Sequence, residues 1–389
     1  MAQYRVRSPG LLAQGAVREG LDVLVRDGRV VGHAARGAEL SDWTVVEAPG
    51  LVAAAFVDLH CHGYGGVSFA ECDAQAMTRA REGLHGVGVG GFLASLGSLP
   101  PDVLVRQLDV LAPLVGRVEP GRATVLGIHL EGPYLSLERR GAHPPALLRR
   151  PDPDEMSGWL ERARGTVRQV TVAPELPAAD AVMDRIAAAG AVVALGHSAA
   201  TMAQATAAMA RGAHHVTHLW NGMSGIAHRG AGLVAAALAG RAVTVEVIAD
   251  GIHIEPAIVD ITLRIVGPER MCLITDSTAA TGIGDGVYEG HGRRVHVVDG
   301  VARTEDGVLA GSTLTLARAV ENVVAWGVAP VALAAHMASH AAAAAVGLGP
   351  WGTLAVGAPA HLVALGRDGR HLPWAARAAL EAPGEGGRR

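Results

Sequence analysis

Five hydrophobic runs of the sequence each end in residues whose side chains are common metal ligands. A run of apolar and β-branched residues predicts a buried strand, and a histidine or carboxylate at its carboxyl end is typical of a functional site. Because all five endings lie on the same side of their strands, they predict a metal-dependent hydrolase built on a parallel barrel. The candidate residues are His60 and His62, Glu131, His197, His218 and Asp276.

The first pair, His60 and His62, is separated by Cys61. Side chains alternate along a strand, so both imidazoles share one face and Cys61 points to the other. This spacing suits two ligands of one metal ion, and the glycines that follow in GYGG allow a sharp turn. The alternative interpretation is a pair of incidental histidines at a strand end.

Glu131, at the end of GIHLE, is poorly explained by packing, because an unpaired buried carboxylate is costly. We therefore expect a cation beside it, with an arginine partner as the alternative. His129 lies two residues earlier on the same face and is either a partner of the site or a histidine of the core.

His197 in LGHS and His218 in VTHLWNG end the next two candidate strands that carry ligands. A neutral imidazole binds a metal through one ring nitrogen while a neighbouring group holds the other. His214 and His215 are interpreted as structural, because His218 lies closer to the carboxyl end of the strand.

Asp276 in ITDST can bind a metal, orient a water molecule or accept its proton, and a helix N-cap is its alternative role.

The composition bounds the class of protein. The 389 residues, 50% of them hydrophobic, suffice for a barrel of roughly 250 residues with a smaller module. No apolar stretch reaches the roughly 18 residues that a membrane helix needs, and no secretory signal is recognisable. The three cysteines have no paired spacing, so a cytoplasmic location is expected. A net charge of -4 without a basic run argues against nucleic-acid binding.

Strand and helix signals alternate from residue 51 onward, and eight candidate strands predict an α/β fold of the (β/α)8 TIM-barrel type. Helical stretches lie between them at 73–88, 101–115, 178–190, 200–211 and 255–266. The candidate strands are 51–59, 90–96, 123–130, 167–173, 191–196, 214–218, 242–249 and 271–275.

Short strands and turns at both ends of the chain predict a second, smaller domain. We expect residues 1–52 and 355–389 to form one small β-sandwich and 53–354 to form the barrel. A hairpin over 287–310 is predicted to interrupt the eighth unit, with helices following at about 313–326 and 330–345. The last dozen or so residues, ending EAPGEGGRR, are predicted to be disordered.

In chain order, the segments HxHG, HLEGPY with GAH, VTVAPE, GHS, THLWNGM, ADGIH, ITDST and LAGSTLT resemble those of the N-acetylglucosamine-6-phosphate deacetylases, a family of the amidohydrolase superfamily. The similarity runs from about residue 51 to 316. It implies an amidohydrolase-type barrel that hydrolyses the acetamide of N-acetylglucosamine 6-phosphate, in amino-sugar catabolism or cell-wall recycling. Hydrolysis of another N-acyl amine, a deamination and non-catalytic binding of a sugar phosphate are the alternatives.

The resemblance implies that Glu131, His197 and His218 hold the principal metal, zinc or iron, and that Asp276 is the catalytic acid and base. The two histidines of HxHG offer a second position, so one or two divalent ions per subunit are expected. The sequence contains no lysine, since all 33 cationic residues are arginine, and a carboxylated lysine therefore cannot bridge two metals. Glu131 is then the expected bridge.

The resemblance also assigns contacts with the sugar phosphate. Arg229 corresponds to an arginine that pairs with the phosphate in the neighbouring subunit, which implies a homodimer; a surface arginine is the alternative. His253 is expected to stabilise the oxyanion as a second catalytic residue. Gly222 stands where the family often has alanine. The full set of expected substrate contacts is Ala142, His143, Asn221, Gly222, Arg229, Asp250, His253, Leu309, Ala310 and Gly311.

Overall fold

Eight parallel strands form a barrel in the computed structural model, which describes residues 2–290 and 293–382. Neighbouring strands follow chain order, as expected of successive strand–helix units. The predicted TIM-barrel fold is therefore confirmed. The strands are β1 (Phe56–Cys61), β2 (Val89–Leu96), β3 (Thr124–Glu131), β4 (Val167–Val172), β5 (Val192–Leu195), β6 (His215–Val216), β7 (Thr244–Ile248) and β8 (Met271–Ile274).

Helices alternate with these strands, and several of them have a side-chain N-cap. Asp73, Asp152 and Thr201 each accept a hydrogen bond from a backbone amide of the first turn. The predicted helix over 330–345 is wrong as a single element, because the chain leaves helical geometry at Ser339 (φ -134°, ψ -82°). The helices are Ala74–Gly86, Pro101–Leu111, Pro153–Arg162, Ala179–Ala188, Met202–Ala210, Leu233–Ala239, Pro256–Val266, Leu316–Ala325, Val331–Met337, His340–Ala345 and Arg377–Leu380.

Strands β1 and β8 meet at the seam of the barrel. The backbone amide of Asp276 donates to the carbonyl of His60 at 2.8 Å. Deeper in the seam, the Thr275 hydroxyl donates to Asp58 at 2.6 Å. Burial raises the pKa of Asp58 to about 6, although its hydrogen bonds with Thr275 and with the His60 amide lower it. The seam thus fixes the end of β1 against the end of β8.

The predicted strand 51–59 is wrong as one element, because its continuous apolar run serves two sheets. Leu51–Ala54 lies in a five-stranded sheet, whereas the barrel begins at Phe56. The tail strand Leu362–Leu365 pairs with Leu51–Ala54 in antiparallel fashion, so the two ends of the chain meet. The five-stranded order is His371–Leu372, Leu362–Leu365, Leu51–Ala54, Leu11–Ala13 and Ala16–Arg18.

A four-stranded sheet packs against this five-stranded sheet. Valines of the first, including Val6 and Val23, share one buried cluster with Val52 and Leu362 of the second. Two layers around one apolar core make a β-sandwich. The four-stranded order is Arg29–Ala35, Leu21–Arg26, Gln3–Arg7 and Thr44–Glu47.

A three-stranded antiparallel sheet follows β8, where the sequence predicts a hairpin. Its strands are Gly286–Gly290, Arg293–Val298 and Val301–Thr304. Asp299 and Gly300 form the turn between its last two strands, and both residues have positive φ (50° and 73°). We call residues 286–311, which include this sheet and the turn after it, the insertion. Two-stranded pairs occur at Gly63–Tyr64 with Val67–Ser68 and at Ile226–Ala227 with Gly230–Ala231.

The carboxyl-terminal segment is held by a buried carboxylate. Glu381 accepts from the ring nitrogen of His85 at 2.9 Å and from the Gly121 amide at 3.0 Å, and His361 Nδ1 lies 3.1 Å from its carboxylate. Arg377, one turn earlier, donates to the carbonyl of His85 at 2.7 Å. Burial raises the pKa of Glu381, but the two imidazoles lower it by a larger amount. The pKa of Glu381 therefore lies well below its usual value. We call these five residues the tail cluster.

The predicted disorder of the last dozen residues is therefore wrong for their first part, since Arg377–Leu380 is helical and Glu381 is buried. Residues 383–389 lie outside the described residues. Within the described ranges, none of the helices has the length and apolar character needed to cross a membrane.

Candidate active site

The carboxyl ends of the barrel strands meet around Glu131, which is 3% exposed. This carboxylate contacts five histidines, three of them through Oε1 and two through Oε2. The distances from Oε1 are 3.1 Å to His197 Nε2, 3.0 Å to His218 Nε2 and 3.4 Å to His60 Nε2, and those from Oε2 are 3.2 Å to His62 Nε2 and 3.3 Å to His143 Nε2.

Asp276 lies on the β1 side of this cluster. Its Oδ1 is 3.5 Å from His60 Nε2 and 3.4 Å from His62 Nε2, and those two nitrogens are 3.0 Å apart. On the other side, the Nε2 atoms of His197 and His218 are also 3.0 Å apart. The structure thus brings all six predicted ligand residues together in two groups that share Glu131.

This donor set fits a divalent metal. Imidazole nitrogens with one or two carboxylates are the ligands that zinc and iron prefer. Two neutral imidazole nitrogens at 3.0 Å hold at most one hydrogen bond between them, whereas a cation is bound by both lone pairs. His143 is predicted as a substrate contact, but it also lies close enough to Glu131 and His197 that these three side chains could hold one metal ion.

The electrostatics of the cluster favour a cation as well. Burial lowers the pKa of His60, but Glu131 and Asp276 raise it well above its usual value. Burial raises the pKa of Glu131, but the charges of His60 and His143 lower it well below its usual value. The carboxylates therefore create a field strong enough to hold protons on buried imidazoles, and a divalent ion would balance the same field.

Glu246, in the middle of β7, supports the cluster from beneath and was missed by the sequence analysis. Its Oε2 accepts from His60 Nδ1 at 3.1 Å and from the His218 amide at 3.1 Å. Its Oε1 accepts from His215 Nε2 at 3.0 Å and from the Gln169 amide at 2.8 Å. A carboxylate on the far nitrogen of a histidine fixes its ring and tautomer for metal binding. The signal in the sequence was a glutamate inside the apolar run TVEVI.

The neighbouring histidines are structural. His215 joins Glu246 to Thr244, whose hydroxyl lies 2.6 Å from His215 Nδ1. His129 contacts hydroxyl groups with both ring nitrogens, at 2.9 Å to Ser95 and 2.8 Å to Thr171. Burial lowers the pKa of His129 well below its usual value, so the ring is neutral. His129 is therefore a satisfied histidine of the core.

Three residues of the cluster have left-handed backbone conformations, which residues other than glycine rarely adopt. The φ angles are 46° at His197, 27° at His218 and 52° at Asp276. Such conformations cost about 1–3 kcal/mol each and occur where the surrounding structure fixes a functional side chain. Gly222 also has positive φ (57°), and a Cβ there would lie 2.9 Å from His197 Nδ1. Glycine at this position lets the backbone approach the ring of His197.

A cavity of about 390 Å³ opens beside the cluster. Most of the predicted substrate contacts line this cavity. Arg303, Gly307 and Val308 of the insertion line it as well, and they were not predicted. A hairpin pattern in the sequence does not indicate that the hairpin lies near the barrel mouth. The lining residues are Glu131, Gly141, Ala142, His143, His197, His218, Asn221, Gly222, His253, Asp276, Arg303, Gly307, Val308, Leu309 and Gly311.

Asp250, Ala310 and Arg229 do not line this cavity. Asp250 holds His253, with Oδ2 at 2.6 Å from Nδ1 of the ring. Ala310 is buried in the apolar cluster of the insertion. Arg229 is exposed on the short hairpin that follows Asn221.

Burial lowers the pKa of His253, but the hydrogen bond and charge of Asp250 raise it above its usual value. Because Asp250 takes Nδ1, the Nε2 atom of His253 is the nitrogen left for a ligand in the cavity.

The sequence from residue 51 to 378 matches the model of the amidohydrolase family. The N-acetylgalactosamine-6-phosphate deacetylase of Escherichia coli O157:H7 is 39% identical over 322 residues, which are 81% of this chain and 83% of that protein. The N-acetylglucosamine-6-phosphate deacetylase of Vibrio furnissii is 36% identical over 321 residues, covering 82% and 79%. A solved structure of the N-acetyl-D-glucosamine-6-phosphate deacetylase of Mycobacterium smegmatis, a mutant in complex with N-acetyl-D-glucosamine-6-phosphate, superposes with a TM-score of 0.89 at 38% identity, covering 95% of this chain and 97% of that one.

Proposed function

Because the chain belongs to the amidohydrolase family, we propose that it hydrolyses the acetamide of N-acetylglucosamine 6-phosphate to acetate and glucosamine 6-phosphate. The observation that carries the proposal is Glu131 among five histidines, with Asp276 beside it, at the wall of one cavity. Relatives that share more than a third of their residues over four-fifths of the chain are deacetylases of N-acetylhexosamine 6-phosphates.

The proposed metal site uses both groups of the cluster. Glu131, His197 and His218 are the ligands of the principal ion, which we propose to be zinc or iron, and Glu131 lies between them and a second position at His60 and His62. An ion held there would supply a Lewis acid and would lower the pKa of a water molecule toward neutrality.

Asp276 is proposed to move the proton. Its carboxylate lines the cavity and is held at the barrel mouth by the backbone bonds of the seam. It can accept the proton of the attacking water and return it to the departing amine, which makes glucosamine 6-phosphate a good leaving group. His253 is proposed to donate through Nε2 to the acetyl oxygen as negative charge develops there, with Asp250 fixing the ring.

The phosphate is proposed to be bound partly by a second subunit. Arg229 does not line the cavity of its own chain, and it lies on an exposed hairpin that also carries Ile226, 56% exposed. An arginine projecting from that hairpin can reach the cavity of a neighbouring subunit. We therefore expect a homodimer, and light scattering of the purified protein should give twice the chain mass; a monomer with full activity would contradict this arrangement.

A cytoplasmic location is proposed from the thiols. Cys61, Cys72 and Cys272 are buried and free, and burial raises the pKa of Cys72 to about 12, which keeps the thiol unreactive. Recovery of the enzyme outside the cytoplasmic fraction of its cell would contradict the proposal.

The decisive experiment is an acetate-release assay on the purified protein with its metal content measured. We expect turnover of N-acetylglucosamine 6-phosphate, loss of activity with a chelator and recovery on addition of zinc or iron(II). The unphosphorylated sugar should be a far poorer substrate, because remote phosphate binding orients the amide for attack.

Two comparisons sharpen this assay. N-acetylgalactosamine 6-phosphate is the second candidate substrate, since the relative at 39% identity is a deacetylase of that sugar. The ratio of kcat/KM for the two epimers will decide which is preferred. Equal rates with and without phosphate would instead support action on another N-acyl amine, and tight sugar-phosphate binding without acetate release would support a non-catalytic binder.

A further inference from the structure

The charges that line the active-site cavity are unevenly distributed. The cluster contributes two carboxylates, Glu131 and Asp276, and the histidines beside them. Among the described residues that line the cavity, Arg303 is the single permanent cation. Because the sequence contains no lysine, every permanent side-chain cation of this protein is an arginine. A phosphate dianion bound in the cavity therefore has one guanidinium available from its own subunit.

Arg303 is held in place by the turn that closes the insertion. It lies in the strand Val301–Thr304 and forms an antiparallel bridge with Leu309. Its Nη1 donates to the carbonyl of Gly307 at 2.8 Å. No other hydrogen bond or ion pair is found for this guanidinium among the described residues, which leaves Nε and Nη2 available to a ligand. Two such N–H groups can bind two oxygens of one phosphate.

The charge of Arg303 reaches the interior of the cavity. Burial lowers the pKa of His253 and Asp250 raises it above its usual value, while the charge of Arg303 has a smaller lowering effect. Three other arginines of nearby segments are engaged elsewhere: Arg139 pairs with Glu138 at 3.0 Å, Arg140 donates to the Leu137 carbonyl at 3.3 Å and Arg318 pairs with Glu321 at 2.8 Å. None of these three lines the cavity.

We propose that Arg303 binds the phosphate of the substrate within its own subunit, as a second cation beside Arg229 of the neighbouring subunit. This inference rests on the proposed function and names a specificity-determining residue for it. Two guanidinium groups would match the charge of a phosphate dianion, and the insertion would carry one of them over the bound sugar. Bound substrate would also hold the turn at Gly307 in place, because the side chain of Arg303 would contact both the phosphate and the Gly307 carbonyl.

The test is the kinetics of Arg303→Ala and Arg303→Lys on sugars with and without the 6-phosphate. For the alanine variant, kcat/KM on the phosphorylated sugar should fall roughly 10- to 100-fold, which is the loss expected for a charge-assisted hydrogen bond. Most of the loss should be in KM, because the phosphate is remote from the reacting amide. On the unphosphorylated sugar, kcat/KM should stay within about twofold, and lysine should restore part of the loss.

Arg264→Ala serves as the matched control, since Arg264 is an exposed arginine on an outer helix, paired with Asp260. Thermal melting and metal content should be unchanged in all three variants. An equal loss on both sugars would show that Arg303 only shapes the site, and no loss on either would show that it does not contact substrate; both results overturn the inference. If the wild-type enzyme releases no acetate from either sugar, the proposed function fails instead.

Discussion

Replacing Asp276 with asparagine is expected to lower kcat for acetate release by roughly 10²- to 10⁴-fold. Asparagine keeps the size and polarity of the side chain but cannot accept the proton of the attacking water. The left-handed backbone at this position and the seam between β1 and β8 should hold the new amide where the carboxylate was. KM for the phosphorylated sugar should change little, because Asp276 lies on the metal side of the cavity.

The measurement pairs steady-state kinetics with metal analysis of the same samples. The ion proposed to bind at Glu131, His197 and His218 should remain at the wild-type level, since Asp276 contacts the other pair of histidines. Asp285→Asn is a suitable control, because that exposed aspartate lies just before the insertion and accepts from the backbone amides of Asp299 and Gly300. Near-normal turnover by the Asp276 variant would remove this residue from the acid–base role.

Replacing Glu381 with alanine is expected to cost about 3–5 kcal/mol in the free energy of unfolding, because it leaves a buried arginine without its carboxylate. Arg377 is 4% exposed, and burial already lowers its guanidinium pKa to about 10, against the raising effect of Glu381. The loss also removes the acceptor of His85 and of the Gly121 amide, and the carboxylate beside the ring of His361. Urea and thermal unfolding followed by circular dichroism will measure the difference.

Glu321→Ala is the control for this stability prediction, because its pair with Arg318 is partly exposed and should contribute at most about 1 kcal/mol. The effect of Glu381 should also depend on pH. Its folded-state pKa is depressed below the ordinary 4.5, so its stabilisation is complete above about pH 4.5 and is lost as the pH falls toward the folded-state value. A Glu381→Ala protein as stable as wild type at pH 7 would show that the tail cluster does not contribute to the stability of the fold.

Much of the candidate site could be predicted because strand periodicity and chemistry coincide in single segments. The HxH spacing puts two imidazoles on one face of the chain at the end of β1, and a glutamate that ends an apolar strand requires a cation. A parallel barrel then gathers all such strand ends at one mouth. The structure places Glu131 within 3.4 Å of a nitrogen of five histidines, from strands and loops far apart in the chain.

The support of the site was harder to predict. Glu246 binds residues of β1, β4 and β6, so its role exists only once the barrel has closed. Arg303 belongs to a hairpin whose pattern indicates strands and turns but not the direction in which the sheet folds over the barrel. In both cases the partners are separated widely along the chain, and local periodicity contains no information about such pairings.

The sequence by itself determined the barrel and the types and order of the candidate ligands, because these depend on patterns of residues a few positions apart. The tertiary structure decided where the apolar run 51–59 divides between two sheets, and it ordered a tail whose composition predicts disorder. The physical reason is the same for both. A continuous apolar run does not specify which core will bury it, and Glu381 becomes an ordering residue only when His85, His361 and Arg377 have been brought around it.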